Sequence, residues 1–395
     1  MFSALESQSM SEVRRLSLGD PVLGDGEKQA LCAVIDGGWL TMGDRVAAFE
    51  RAFAALHGVK DAVAVNSCTA GLHLCLRAIN IGPGDEVLVP SLTFVATVNA
   101  VLYVGAAPVF VDIEKDDIPH ISLRDADAKC TPRTKGAIVM HYAGYPVDLR
   151  AWRSFADARG LTLIEDAAHA PAVGEVGRWG NASAFSFFTN KNMTTAEGGM
   201  VVARDASILE QVRNLRAHGM TSSTLDRDRG HAYSYDVTTL GYNYRLDELR
   251  AAIGLTQLQH LQRWNARRRE LTAFYIEALD RHAPEVFLPF RCPKETAAHL
   301  MPVLLPPGVY RETVMSELRR RGIQSSIHYP PVHKFSYYRA RFPAPALPNT
   351  EEFCSRELSL PLHPALTDQD VERVATTLGD IVSKACMRYP NKSSI

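Results

Sequence analysis

The 395-residue chain is 46% hydrophobic and 22% charged with a net charge of −1, which suits a globular protein large enough for two domains and argues against partners captured by bulk charge, such as nucleic acid or an anionic membrane. Its seven cysteines are scattered, odd in number and free of any C-x-x-C pair, so reduced thiols in a cytoplasmic protein are expected, with no disulfide frame and no metal site. No apolar run approaches the roughly 18 residues of a membrane span, and the opening MFSALESQSMSEVRR lacks the apolar stretch of a secretion signal.

In chain order, residues 1–25 read as an arm leading into a helix at Glu27–Gly37. From about residue 60, short apolar strands alternate with amphipathic helices. The strands are expected at Val87–Pro90, Pro108–Val111, Ala137–His141, Leu161–Glu165, Ala184–Phe188 and Met200–Ala203, and helices at Ala70–Asn80, Leu149–Arg159 and Ala206–His218. This alternation predicts an α/β fold with a mainly parallel sheet, whose ligands gather at the carboxyl ends of the strands. Residues 246–263 read as one long helix striped by Leu246, Leu249, Ile253, Leu258 and Leu261, with Arg267, Arg268 and Arg269 as its solvated end. Beyond about 265 the pattern changes to a strand at His299–Leu305, a helix at Glu312–Arg321, a loop rich in Pro, His and Tyr over 328–348, and a final helix. Thr367 and Asp370 form a capping-box pattern at the start of that helix. A large domain over 26–265 and a smaller α+β domain over 266–395 are therefore expected.

Within this frame Lys191 stands out. It follows two phenylalanines and precedes a Glu-Gly-Gly by six residues, a setting that predicts a walled, partly dry pocket. Burial favours the neutral amine, a nucleophile toward aldehydes, and pyridoxal 5'-phosphate is the matching partner, held as a Schiff base. The small residues Asn66–Gly71 open directly into a helix, where free N–H groups can bind phosphate with help from the Thr69 hydroxyl; the same pattern serves a plain helix cap. The strand ending in Glu165 and Asp166 puts Asp166 where a carboxylate can keep a pyridine nitrogen protonated, with Glu165 on the opposite side. Such a pair can equally cap the next helix. Phe94, after the strand ending at Pro90, suits stacking on a flat cofactor or a place in the core. Ser186 suits either a phosphate contact or a backbone hydrogen bond.

Taken together, GPGDEVLVPSLTFVATVNA, EDAAHA, FSFFTNKN with EGGM, GYNYRLDELRAAIGLTQL and HYPPVH resemble the sugar aminotransferases of the DegT/DnrJ/EryC1/StrS group, a branch of the fold-type-I pyridoxal-phosphate enzymes. The likeness runs from about Gly38-Trp39-Leu40-Thr41 to Leu358–Leu362. It implies that Lys191 forms the Schiff base, Asp166 pairs with the pyridine nitrogen, His169 lies beside the ring and Phe94 stacks on it. Cys68, Thr69 and Ser186 fall at phosphate-binding positions; Cys68 departs from the Gly or Ala of many relatives, although a backbone N–H contact would survive the change. Asn243 corresponds to an asparagine that reaches the cofactor phosphate of a neighbouring subunit, which implies a homodimer with shared active sites. The His141–Gly144 run looks like members that aminate C4 of nucleotide-linked 4-keto sugars, with L-glutamate as the expected donor. Arg245, His328, Tyr329 and His333 are candidates for shaping the sugar-nucleotide pocket, or for structural roles, and the loops 219–238 and 328–348 are expected to carry that pocket. The alternatives are an aminotransferase for keto-inositols, a sugar dehydratase and a non-catalytic regulatory homologue. Lys191 speaks against the dehydratases, which carry His at that position. The lysine and carboxylate, both present, speak against the last.

Overall fold

A computed structural model describes residues 14–291, 295–342 and 345–388. Cys292, the first thirteen residues of the expected arm and two positions of the 328–348 loop lie outside them. The strands are β1 (Val63–Val65), β2 (Glu86–Pro90), β3 (Ala107–Val111), β4 (Ile113–Lys115), β5 (Ile118–Ile121), β6 (Thr134–Met140), β7 (Thr162–Asp166), β8 (Ala182–Ser186), β9 (Gly199–Ala203), β10 (Met301–Leu304) and β11 (Glu357–Leu360). Seven of them form one sheet in the order β1-β9-β8-β7-β6-β2-β3. Only β9 runs against the others, pairing antiparallel with β1 and β8 while the remaining neighbours are parallel.

The sheet is apolar on both faces, as continuous runs such as Val87–Val89 and Met200–Val202 require, and helices cover it on both sides. Two of the covering helices carry a side-chain cap at their start. Ser67 accepts the Ala70 N–H (3.1 Å) ahead of the helix Cys68–Ala78, and Asp148 accepts the Ala151 N–H (3.0 Å) ahead of Leu149–Arg159. Because six strands end along one edge and β9 begins there, the segments after five of them, at Val65, Pro90, Met140, Asp166 and Ser186, converge with Gly198–Gly199.

A second apolar core gathers around the β10–β11 pair and the helices Leu261–His282, Arg311–Arg320 and Asp368–Arg388. The expected boundary near residue 265 falls inside the first of these helices. The arm reaches this core too: Leu16 is buried, its N–H bonds the Gly322 carbonyl (2.8 Å), and its own carbonyl accepts the Gln324 N–H (2.9 Å). Thr367 and Asp370 form the reciprocal cap expected at the last helix. No helix among the described residues is long and apolar enough to cross a membrane.

Two expectations are corrected. Residues 246–263 are not one helix: Glu248–Leu258 and Leu261–His282 are separated by a turn at Gln259–His260. The apolar stripe continues across so short a break, so its periodicity cannot reveal it. The arginine triplet is not a solvated end either. It lies within Leu261–His282, where Arg268 is turned inward and donates to the carbonyls of Leu362 (2.6 Å) and His299 (3.4 Å). The sequence reading also passed over β1, β11, and the helices Asp44–His57 and Val95–Tyr103.

Candidate active site

A cavity of about 360 Å³ opens at the carboxyl edge of the sheet. Its wall brings together Lys191, Asp166, His169, Phe94, Cys68, Thr69, Ser186, His328 and Tyr329, nine of the twelve residues singled out from the sequence. Asn243 and Arg245 are not in it. Asn243 is exposed beside Asn66, whose side-chain amide donates to its carbonyl (3.4 Å). His333 is buried elsewhere, between the Ser91 hydroxyl (2.7 Å) and the Glu351 carboxylate (3.2 Å), a packing role.

Lys191 sits on the loop after β8, and its neighbours hold that loop from several sides. Its N–H bonds the Phe188 carbonyl (2.9 Å). Next to it, the Asn192 side-chain amide donates to Asn265 Oδ1 (2.7 Å) and the Ala297 carbonyl (2.8 Å), and Asn192 Oδ1 faces His299 Nδ1 (2.8 Å). Thr194 donates its N–H to Gln257 Oε1 (3.2 Å). Among the described residues the Lys191 amine itself has no hydrogen-bond partner. Burial pulls its pKa down to about 8, against the upward pull of Cys68 and Asp166.

Asp166 ends β7 with its side chain toward the cavity. Thr97 donates to Oδ2 (2.6 Å) and the Ala168 N–H to Oδ1 (3.1 Å). Burial raises its pKa despite these bonds, so a cationic partner would be favourable. Glu165 points the other way, as strand alternation demands, and accepts from the N–H groups of Gly177 (2.9 Å) and Gly180 (2.7 Å) while facing His141 Nε2 (3.0 Å).

On the opposite wall the helix Cys68–Ala78 begins. The N–H groups of Cys68 and Thr69 have no partner among the described residues, the ordinary state of a helix start and a ready anion site. The Cys68 thiol turns to the Ala184 carbonyl (3.6 Å), leaving its N–H as the group available for a phosphate. Gly199 is needed here: a Cβ would come within 2.7 Å of the Cys68 nitrogen. Ser186 lines the cavity while accepting weakly from the Phe188 N–H (3.4 Å). Phe94 immediately precedes the helix Val95–Tyr103 and is 53% exposed, its ring 5.8 Å from that of Tyr329.

His169 is buried with Nε2 3.0 Å from the Tyr329 hydroxyl and Nδ1 without a partner. Burial first, then the Lys191 charge, holds it well below the usual histidine range, so it is neutral. His299 packs against it, ring centroids 4.2 Å apart. Thr97, His299, Asn192 and Glu357 escaped the sequence reading; the first two contact residues far along the chain, a relation no local pattern carries. The sequence signal available for His299 was its place at the start of an expected strand.

These features fit pyridoxal 5'-phosphate. An unpartnered amine of lowered pKa, a buried carboxylate seeking a cation and two free helix-start N–H groups belong to residues that line one cavity, with His169 on the same wall.

Compared with known proteins, residues 21–379 match the model of the DegT/DnrJ/EryC1/StrS aminotransferase family. Among solved structures, PseC of Helicobacter pylori, an aminotransferase of pseudoaminic acid biosynthesis, is 28% identical with a TM-score of 0.88, covering 94% of this chain and 100% of its own. DesV of S. venezuelae is 35% identical with a TM-score of 0.84, covering 93% and 98%. DesI, solved in the presence of its TDP-sugar product, is 31% identical with a TM-score of 0.84, covering 96% of each chain. Other similar structures hold pyridoxal or pyridoxamine phosphate.

Proposed function

Since the chain belongs to the DegT/DnrJ/EryC1/StrS aminotransferase family, and so is a pyridoxal-phosphate-dependent sugar aminotransferase of fold type I, we propose that it moves an amino group from L-glutamate to a nucleotide-linked 4-keto sugar in cytoplasmic amino-sugar biosynthesis. The observation that carries this reading is the unpartnered Lys191 amine facing the same cavity as Asp166. PseC and DesI, which act in sugar pathways, support the substrate class, as does the His141–Gly144 run.

When bound, the cofactor supplies an aldehyde that exchanges amines and a ring that accepts an electron pair. Asp166 would hold a proton on the ring nitrogen, its burial favouring a cation beside it. The N–H groups of Cys68 and Thr69, with Ser186, would bind the phosphate, and Phe94 and His169 would confine the ring. Lys191 would hold the cofactor, and once freed its neutral amine would serve as the base that takes a proton from the substrate carbon and holds it for return during the same turnover. Tyr329 and His328, which line the cavity, would shape the sugar end. Asn243 of a second copy would complete the phosphate site, making a homodimer the working unit.

A direct test loads the protein as its pyridoxamine form and offers a panel of nucleotide-linked 4-keto sugars, nucleotide-linked 3-keto sugars and keto-inositols. Return of the pyridoxal absorbance with a 4-keto sugar is expected. Return with a keto-inositol alone would replace the proposed substrate.

A further inference from the structure

Behind the cavity wall lies a buried group that the reaction described above does not use. Glu357 and Ser359 stand two residues apart on β11, so both point to one side of that strand. Neither has measurable exposure. Paired backbone bonds between Ser326 and Ser359 (2.9 and 3.2 Å) lay the segment leading to His328 along β11. Three contacts then link the groups. The His328 N–H donates to Glu357 Oε2 (2.8 Å), Ser359 Oγ lies 2.6 Å from Glu357 Oε1, and His328 Nδ1 lies 2.9 Å from Ser359 Oγ. The Tyr142 hydroxyl fixes the same residue from the other side by donating to the His328 carbonyl. Nδ1 is thus committed, Nε2 has no partner among the described residues, and the ring lines the cavity that holds Lys191.

We propose that Glu357, Ser359 and His328 form a proton relay opening into the cavity at His328 Nε2, which presents an N–H to an acceptor oxygen of a substrate. With Glu357 protonated, its O–H donates to Ser359, the Ser359 O–H donates to Nδ1, and the ring proton must sit on Nε2. When Glu357 ionises, each link moves one step. The Glu357 O–H bond breaks as a new Ser359 O–H bond forms, the old Ser359 proton passes to Nδ1, and the Nε2 proton leaves into the cavity. One proton is released, His328 remains neutral, and its cavity-facing nitrogen changes from donor to acceptor.

The surroundings favour the donor form at neutral pH. Burial is the largest influence on Glu357, and against the bonds from Ser359 and the His328 N–H and the charge of Arg311 it pushes the carboxyl up to about 8. Arg311 gives its hydrogen bonds to the carbonyls of Cys354 and Glu357, leaving the carboxylate without a direct cationic partner. Cys354, Tyr142 and Tyr329 also face Glu357, and burial raises all three, so they stay neutral. His328 is held down to about 4 by burial and the Lys191 charge, so the ring itself does not become charged over this range. A neutral donor on this wall suits a carboxylate of the amino donor or the carbonyl of the sugar.

The inference rests on the cavity being the place where both substrates react, but its first test does not. The cofactor-loaded protein is labelled with ¹⁵N-histidine, and the His328 signals are assigned by their loss in His328→Gln. Wild type should carry the proton on Nε2 near pH 7 and on Nδ1 near pH 9.5. In Glu357→Gln the amide NH₂ takes the place of the protonated carboxyl, so His328 should keep the Nε2 proton at both values. One unchanging tautomer in wild type, or a Glu357→Gln protein that follows wild type, would overturn the relay. Should Glu357→Gln fail to fold, Ser359→Ala must also abolish the switch, and a persisting switch would be equally fatal. The second arm measures L-glutamate affinity from the first half-reaction. Between the two pH values, affinity in wild type should fall about ten-fold more than in Glu357→Gln, the worth of one hydrogen bond to a charged group. The Lys191–cofactor linkage is the same in both proteins, so its own pH dependence cancels. An intact tautomer switch with equal falls in affinity assigns the N–H to the sugar carbonyl.

Discussion

The amine of Lys191 meets two opposed demands. To react it must be neutral, and to leave the folded protein undisturbed it should be charged and solvated. At pH 7.5 an amine of ordinary pKa is neutral about once in a thousand, whereas one at about 8 is neutral roughly a quarter of the time. The cavity supplies that gain by withholding water, and the cost falls on stability. The folded-state pKa lies below the unfolded value, so the penalty is absent above about pH 10.5, where both states are neutral. It grows as pH falls and is complete below about 8. Lys191→Met should therefore stabilise the cofactor-free protein in urea melts at pH 7, with the advantage shrinking toward pH 10.5, while transamination is lost. A variant less stable than wild type at pH 7 would show that the amine is better solvated than its surroundings imply. Asp166 shows the complementary case: its acid is raised by burial, and a bound cation beside it would recover what burial costs.

At the scale of elements, the site depends on how closely β9 meets the helix Cys68–Ala78. Gly199 leaves no room for a methyl group between that strand and the backbone of Ser67 and Cys68. Gly199→Ala should displace the helix start by a few tenths of an ångström or more. The retained cofactor should then fall, read as faster loss of pyridoxal phosphate on dialysis, together with a clear loss of Tm, because all three atoms that the methyl group meets are backbone. Gln257 is the second such joint. From the helix Glu248–Leu258 it donates to Glu27 Oε1 (2.7 Å) and the Val22 carbonyl (2.8 Å), and it accepts from Thr194, three residues beyond Lys191. Gln257→Ala removes three bonds, two of them buried, and should cost about 2–4 kcal/mol in urea unfolding. Its loosened lysine loop should also exchange amide hydrogens faster.

These joints mark where reading from sequence stops. Lys191, Asp166 and the opposing side of Glu165 were legible because an apolar strand with period two and a short following loop determine where each side chain points. Thr97, which bonds Asp166 across 69 positions of chain, and Glu357, which bonds His328, depend on the pairing of distant elements, and no local spacing encodes that. The arginine triplet misled for a related reason. Charge alone suggests solvent, but on a helix three successive residues point in different directions, and the middle one finds carbonyls to bond.

For the whole molecule, the decisive matter is the proposed sharing of the site with a second copy. Asn243 is exposed and sits outside its own chain's cavity, while Phe94 and Phe188, on the cavity wall, are 53% and 45% exposed. Large aromatic surface beside a reactive pocket is costly to leave in water, and a symmetric partner bringing its own Asn243 to the phosphate end would cover it. If the proposed sharing is right, Lys191→Ala and Asn243→Ala dimers should each be strongly impaired, because each has a defect at both sites. Unfolding and refolding an equal mixture gives half hybrid dimers. Every hybrid has one site with both defects and one with neither, so the mixture should recover about a quarter of wild-type activity. Recovery must also appear only after subunits exchange, not on simple mixing. A mixture no more active than its parents would place Asn243 and Lys191 in the same site of a single chain, or Asn243 outside the site altogether. Light scattering on the unmixed protein separates these outcomes from a plain monomer, which would remove the shared site regardless of activity.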